Sequence, residues 1–340
     1  RGLGDVYKRQ EGENDMCTSI AIKTQDFYFG RNMDLDYEFG NGIVITPRNY
    51  PFEFKKAGSL RRHYALIGMA EIYEGYPFYA EAANEKGLCI ACLNFPGYAF
   101  YSAVEETHSV NISPFELVSW LLGRCGSVKE ARELLSDINI IDIPFSGRLP
   151  LSPLHWHIAD SESSIVLEST KGGIRIYDNP AGVLTNNPPF DFQMTNLCQY
   201  LNLITENPSN GLSSRMGLKP FGHGLGSRGL PGDYSPASRF VKASYLSMNS
   251  VCRDTEQGSV AQFFHLLDSV AMVRGSVKTT GGNDYITTYS CCINADKGIY
   301  YYKTYGNNQL TAVDMNREDL NADALIKIPL VLSQQILRAN

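Results

Sequence analysis

The sequence predicts an α+β protein in which helices are segregated onto antiparallel sheets, and three observations carry that prediction. Strand-like and helix-like segments come in blocks, in the order strands, helices, strands, helices, strands. No Gly-rich nucleotide fingerprint follows a strand, which removes the usual sign of a doubly wound parallel sheet. No internal repeat divides the chain.

From Cys17 onward the first block reads as short strands. CTSIAIK, DFYFGR and GIVITPR are rich in Ile, Val, Phe and Tyr, and polar or Gly-containing breaks separate them. LCIACLNF, residues 88 to 95, follows the turn-like NEKG. Two helices are announced by capping boxes. Ser113-Pro114-Phe115-Glu116 opens one containing Leu117 and Leu121, and Ser127-Val128-Lys129-Glu130 opens the next, with Ala131, Leu134 and Leu135, ending near Asp137. Strands resume at SIVLEST, GIRIY and GVLT, residues 164 to 185. The stretch 186–236 is rich in Asn, Gly, Pro and Ser and is expected to be loop, of the kind that binds or covers a ligand. Helical periodicity returns at Phe240 to Met248 and at Val260, Phe263, Phe264, Leu267 and Val270. TTYSCCI and GIYYYKTY, joined by NADK, read as a β-hairpin.

The totals exclude several classes of function. A chain of 340 residues can bury a substantial core. Its 43% hydrophobic and 19% charged residues, with a mean hydropathy of -0.21, fit a soluble globular protein, and no window nears the ~18 consecutive apolar residues of a membrane span. A net charge of -6 leaves no basic footprint for nucleic acid or an anionic membrane surface. Eight cysteines, at 17, 89, 92, 125, 198, 252, 291 and 292, are too sparse and irregular for a disulfide scaffold, so reduced thiols in a cytoplasm are expected. The first fifteen residues are polar, mixed in charge and free of an apolar h-region. They read as a disordered leader, a removable pro-segment, or reading frame upstream of a true start at Met16. Residues 1–16 are therefore expected to be extraneous or removable, and residues 17–340 to form one domain.

The candidate chemistry narrows by geometry. Cys89-Ile-Ala-Cys92 has the C-x-x-C spacing, but on a strand an offset of three puts the sulfurs on opposite faces, and no second Cys/His pair lies at zinc-site spacing. Cys291-Cys292 reads as a pair of small buried hydrophobes. His155 and His157 share a strand face, yet no carboxylate signature adjoins them, so they are expected to be structural or surface histidines. None of the six histidines has local sequence that supports a papain-like Cys/His pair.

Cys17 remains. A thiol titrates near ~8.5 and an α-amino group near ~7.7 to 8.0, so a cysteine exposed at the N-terminus by loss of Met16 holds nucleophile and base on one residue. Such a nucleophile needs uncharged donors for an oxyanion, and Asn94 and Asn186 stand at the ends of LCIACLN and GVLTN. It also needs a carboxylate and a cation nearby, and GRNMD supplies Arg31 and Asp34 just after the second strand.

These pieces occur together in a pattern. MCTSIAIKTQDFYFGRNMDLDYEFGNGIVITPRNYPFEF, NEKGLCIACLNFPGY, SPLHWHIAD, YDNPAGVLTNNPPFDFQ, GLPGDYSPASRF, AMVRGS and KGIYYYKTYGNNQ, in that order from Met16 to the C-terminus, closely resemble the choloylglycine hydrolase family of N-terminal nucleophile hydrolases. The resemblance implies an αββα four-layer sandwich, no metal or cofactor, and cleavage of the amide of a conjugated bile salt or of penicillin V. It implies Cys17 as nucleophile with its freed amine as base, Arg31 beside the thiol and Asp34 on the amine. Asn94 and Asn186 would be oxyanion donors, and Arg239 of PASRF would complete the polar cluster. Penicillin V acylases of the family often carry Tyr where this chain has Asn94, which favours a bile salt hydrolase. The resemblance also suggests that Ser227 and Arg228, before LPGD, influence the taurine or glycine head group, with a leaning to taurine. It further suggests a homotetramer. Phe27, Tyr28, Phe29, Tyr73, Tyr76, Phe78, Phe95 and Tyr98 are candidates both for a steroid pocket and for plain core. A non-catalytic binding protein of the same fold, with Cys17 kept behind residues 1–16, is the rival from another class.

Overall fold

The computed structural model describes residues 16–37, 42–106 and 110–340. The expectations about residues 1–15 lie outside the described residues, and Met16 is the first residue of a strand paired with Asp34.

Among the described residues fourteen strands make two large sheets. In chain order they are β1 (Met16–Lys23), β2 (Phe27–Leu35), β3 (Gly42–Thr46), β4 (Leu66–Tyr73), β5 (Tyr76–Asn84), β6 (Cys89–Asn94), β7 (Leu154–Ala159) and β8 (Ser164–Thr170). They continue with β9 (Gly173–Asp178), β10 (Val183–Leu184), β11 (Ile286–Asn294), β12 (Ile299–Thr304), β13 (Asn307–Asp314) and β14 (Ile326–Ile328). The six-stranded sheet runs β10-β1-β2-β11-β12-β13 and the eight-stranded sheet β9-β8-β7-β6-β5-β4-β3-β14, with every pairing antiparallel.

Among the described residues five α-helices cover the outer faces. These are α1 (Leu117–Arg124), α2 (Val128–Leu135), α3 (Phe190–Leu197), α4 (Pro236–Met248) and α5 (Glu256–Asp268). One core joins the facing sides of the two sheets with Phe240, Phe263 and Leu267 from α4 and α5. The second lies between the eight-stranded sheet and α1 and α2, around Trp120, Leu121, Trp156 and Ile158. The order helix, sheet, sheet, helix is the αββα sandwich that the resemblance implies. Burial explains the composition of the central strands. All nine residues of β2 are buried, because it has a strand on each side, a sheet on one face and a helix on the other.

The helix starts agree with the capping logic, with two refinements. Glu116 accepts the Ser113 N–H at 3.0 Å, but a single 3₁₀ turn, Pro114–Glu116, precedes α1. Ser127 Oγ accepts the Glu130 N–H at 3.2 Å, while the Glu130 carboxylate takes the N–H of Gly126 instead of Ser127. The expectation of loop throughout 186–236 is corrected at α3. FDFQMTNL forms two turns after Pro189, with Phe190 and Gln193 buried, and the Asn- and Pro-rich flanks hide so short an amphipathic segment. The hairpin of β4 and β5 turns on Glu74 and Gly75, both at positive φ (49° and 81°), a turn that Glu-Gly signals only weakly in sequence.

Candidate active site

Neighbouring strand ends bring the polar residues together. In the β1–β2 register Cys17 faces Met33 and Met16 faces Asp34, while Asn186 stands two residues past the end of β10, the other neighbour of β1. Asn94 ends β6 in the facing sheet, and Arg239 lies in the first turn of α4, capped by the Ser235 hydroxyl.

Cys17 is 2% exposed. Its N–H donates to Asn186 Oδ1 at 2.9 Å, and its Sγ lies 3.9 Å from Met33 Sδ. Arg239 holds the same stretch from the other side. Its Nη1 donates to the Cys17 carbonyl and to Thr18 Oγ1 (2.6 Å), its Nη2 to Asn186 Oδ1 (2.8 Å), and its Nε to the Tyr234 carbonyl (2.9 Å). Burial lowers the pKa of this guanidinium, and Asp34 and Cys17 offset part of the effect. Asn186 Nδ2 donates to the Asn94 carbonyl at 2.8 Å, so the two asparagines are linked across the two sheets.

Asp34 accepts from the Thr287 hydroxyl at 2.5 Å through one oxygen, while its other oxygen, buried, has no hydrogen-bond partner among the described residues. Burial pushes the carboxyl up to about 6 against the pull of Arg239, Thr287 and Arg31. Arg31 is fully buried. Its Nη1 donates to the carbonyls of Ala80 (3.1 Å) and Cys92, its Nη2 to Met33 Sδ (3.6 Å), and its Nε lies 3.8 Å from Glu81 Oε2. Burial alone would lower the pKa of this group, but Cys17, Tyr289 and Glu81 outweigh it and hold the pKa above the ordinary value. Glu81 in turn accepts from the hydroxyls of Tyr289 (2.8 Å) and Tyr300 (2.5 Å).

A cleft opens above Cys17, Arg31, Met33 and Asn94. Leu35, Phe78, Phe115, Phe145, Leu149 and Leu151 wall it, and Phe78, Phe115 and Phe145 meet one another at ring-centroid distances of 5.1–5.6 Å. Polar groups at the buried end and aromatic and aliphatic walls above suit an amphipathic ligand.

Cys17, Arg31, Asp34, Asn94, Asn186 and Arg239 thus converge. Ser227 and Arg228 do not join them. The Ser227 hydroxyl donates to Gly224 O, the Arg228 carbonyl accepts from Asn202, and neither residue lines the cleft. Of the eight aromatic candidates only Phe78 lines the cleft among the described residues, and Phe27, Tyr28 and Phe29 are core. The residues that sequence reasoning missed are Glu81, an acid embedded in the apolar run of β5, and the wall residues 145–151, which lie in irregular chain without periodicity.

Cys89 packs in the inter-sheet core and Cys92 against the outer one, and no group of three His, Cys, Asp or Glu side chains is placed to hold a metal ion among the described residues. His155 and His157 are both buried. The ring nitrogens of His157 lie 2.7 Å from Ser19 Oγ and 2.8 Å from Ser164 Oγ, and burial, with the charge of His155 second, brings its pKa down to about 3.

The profile of the family described as linear amide C–N hydrolases, choloylglycine hydrolase family, matches residues 17–328. The chain belongs to the choloylglycine hydrolase family. A bile salt hydrolase/transferase from Lactiplantibacillus plantarum is 48% identical over 96% of this chain and 100% of its own length. One from Clostridium perfringens is 42% identical over 91% of this chain and 95% of its own. A crystal structure of a variant conjugated bile acid hydrolase from Clostridium perfringens superposes with a TM-score of 0.88 at 40% identity, covering 95% of this chain and 100% of that one. A penicillin V acylase from Agrobacterium tumefaciens shares the choloylglycine hydrolase fold at a TM-score of 0.72 and 18% identity, over 94% of each chain.

Proposed function

We propose that the protein is a bile salt hydrolase that cleaves the amide of glycine- or taurine-conjugated bile acids with Cys17 as an N-terminal nucleophile. The observation that carries the proposal is Cys17, held by Asn186 and Arg239, facing the polar end of an otherwise apolar cleft beside Arg31 and Asn94. Steroid burial against Phe78, Phe115 and Phe145 supplies affinity, and the scissile amide sits at the thiol.

Loss of Met16 turns the Cys17 nitrogen into an amine beside its own thiol, and the family profile that begins at Cys17 supports that start. The amine takes the thiol proton, and the thiolate attacks the C24 carbonyl carbon. Charge gathers on the carbonyl oxygen, where the side-chain amides of Asn94 and Asn186 donate. The C–N bond breaks as the ammonium gives its proton to the leaving glycine or taurine nitrogen, leaving a thioester. The amine then takes a proton from water, which hydrolyses the thioester and frees the thiol. Arg31 supports the thiolate, Asp34 orients the amine, and Arg239 fixes the Cys17 backbone. No cofactor enters these steps.

Head-group choice is assigned to the Ser227–Arg228 loop on family resemblance alone. A homotetramer rests on the same resemblance. A cytoplasmic location rests on the eight cysteines, none of which is in a disulfide.

Turnover of taurocholate and of penicillin V by a chain beginning at Cys17 tests the proposal. Taurocholate is the preferred substrate. Preference for penicillin V would make the protein an acylase of the other kind, and no turnover of either by chain verified to begin at Cys17 by intact mass would favour a binding protein.

A further inference from the structure

His155 has no part in the reaction above, yet it lies against the chain neighbours of both proposed oxyanion asparagines. The side chain is fully buried on β7. Its Nε2 is 2.9 Å from the carbonyl oxygen of Thr185, the residue before Asn186. Its ring stacks on Phe95, the residue after Asn94, with centroids 4.4 Å apart and planes at 6°. Its Nδ1 is 3.2 Å from Glu168 Oε1, and that oxygen also accepts the backbone N–H of Phe190 at 2.9 Å. Phe190 meets Phe240, the residue after Arg239, edge-on at 6.0 Å. The Thr185 hydroxyl donates to the carbonyl of Pro236 at 2.9 Å, in the first turn of the helix that carries Arg239.

Hydrogen-bond chemistry limits where the protons of this pair reside. A carbonyl oxygen only accepts, so Nε2 carries a hydrogen. Nδ1 and Glu168 Oε1 then share one more, and the pair is net neutral whether that proton is written on the imidazole or on the carboxyl. Two titratable groups tolerate complete burial under that condition. With both nitrogens bonded and one face stacked, the ring has a single orientation.

We infer that His155 and Glu168 form a positioning unit that holds Asn94 and Asn186 in register with the Cys17 thiol. The inference rests on the hydrolase reading above. Neither residue lines the cleft, so the unit acts through the backbone at Phe95 and Thr185. Donors to an oxyanion work only when fixed within a fraction of an ångström, and a shift at these two neighbours moves both amides at once. The contacts that Arg239 and Met33 make with Cys17 do not pass through either asparagine, which leaves the intrinsic reactivity of the thiol a distinct readout.

The experiment uses the full chain beginning at Cys17. His155→Phe keeps an aromatic ring for Phe95 but removes both hydrogen bonds. Glu168→Gln keeps the shape, but an amide oxygen or an amide nitrogen at the shared position serves Phe190 N–H or Nδ1, not both. For each variant kcat on taurocholate is expected to fall ~10- to 100-fold. KM and the second-order rate of Cys17 alkylation by iodoacetamide stay within about twofold of the parent. Should His155→Phe not fold, Glu168→Gln carries the comparison. A kcat within about twofold of the parent, alkylation falling in step with kcat, or loss of the fold in both variants overturns the positioning role. An active parent with unimpaired variants refutes this inference alone, whereas an inactive parent overturns the hydrolase reading with it.

Discussion

Asn186 Oδ1 stands 2.9 Å from the backbone nitrogen of Cys17, which in this chain is still an amide joined to Met16. The contact is made before the amine exists, so the acceptor that will orient the amine is already in place. A chain that retains Met16 is expected to be inactive, since its nitrogen cannot take a proton, and the same chain trimmed to Cys17 is expected to turn over taurocholate. In the trimmed chain Asn186→Ala removes the acceptor for the amine and the donor to the Asn94 carbonyl together. A loss of ~10²–10³ in kcat is expected, as for removal of one oxyanion donor, and steady-state kinetics on taurocholate would reveal an Asn186 that contributes less.

Arg239 satisfies four acceptors from one planar group: the buried Cys17 O, Thr18 Oγ1 and Asn186 Oδ1, and the partly buried Tyr234 O. A lysine ammonium is a point charge and cannot span them. Arg239→Lys should therefore not rescue Arg239→Met. Both are expected to lose at least ~10²-fold in kcat/KM, and the Met variant to lose about 3–5 kcal/mol of unfolding free energy because a buried charge network loses its cation. Parallel urea titrations and taurocholate kinetics check the two halves of this expectation. A Lys variant with near-parental activity would mean that charge, not the fork of donors, is what the site uses.

The Asp34 carboxyl, pushed up to about 6 from 3.8, binds its proton more tightly folded than unfolded. Its contribution to stability is thus fully present below about pH 4 and is lost as pH rises through 6. The difference across that window is on the order of 3 kcal/mol. In the chain that retains Met16, Asp34→Asn lacks this titration, so the stability of the parent relative to the variant should fall between pH 4 and pH 7. Urea midpoints at the two pH values measure it, and a constant difference would place the Asp34 carboxyl near its ordinary range in the folded chain.

The sequence displayed the strands through short β-branched and aromatic runs, and the helix starts through Ser-x-x-Glu boxes, because both are local patterns that tertiary packing here reinforces. Cys17, Asn94, Asn186 and Arg239 were legible for a related reason: they sit at strand ends or in a first helical turn, where a polar residue closes an apolar run. Arg31 and Asp34, expected just after the second strand, instead lie within β2, with Arg31 at its middle. Glu81 and Glu168 were not legible. Each is one acid within a strand, and only the fold brings Arg31, Tyr289 and Tyr300 to the first and His155 to the second. The cleft wall was equally hidden, since Phe145 to Leu151 follow no period and gain their meaning from packing beside Phe78 and Phe115.

That wall gives the last expectation. Phe145 lines the cleft, touches Phe78, Phe115, Tyr73 and Tyr76 through its ring, and lies well away from the polar end in chain and contact. Truncating it to alanine removes apolar surface that only a bulky acyl group covers, a loss of roughly 1.5–3 kcal/mol of transfer free energy. The thiol, the asparagines and the arginines keep their bonds. Phe145→Ala is therefore expected to raise KM for taurocholate by about tenfold or more while kcat changes little, the signature of lost uniform binding. Iodoacetamide, which needs no steroid pocket, should alkylate Cys17 at the parental rate. If kcat falls instead with KM unchanged, Phe145 acts on the reacting amide and the steroid lies elsewhere, so the same pair of measurements also fixes which end of the cleft receives the ring system.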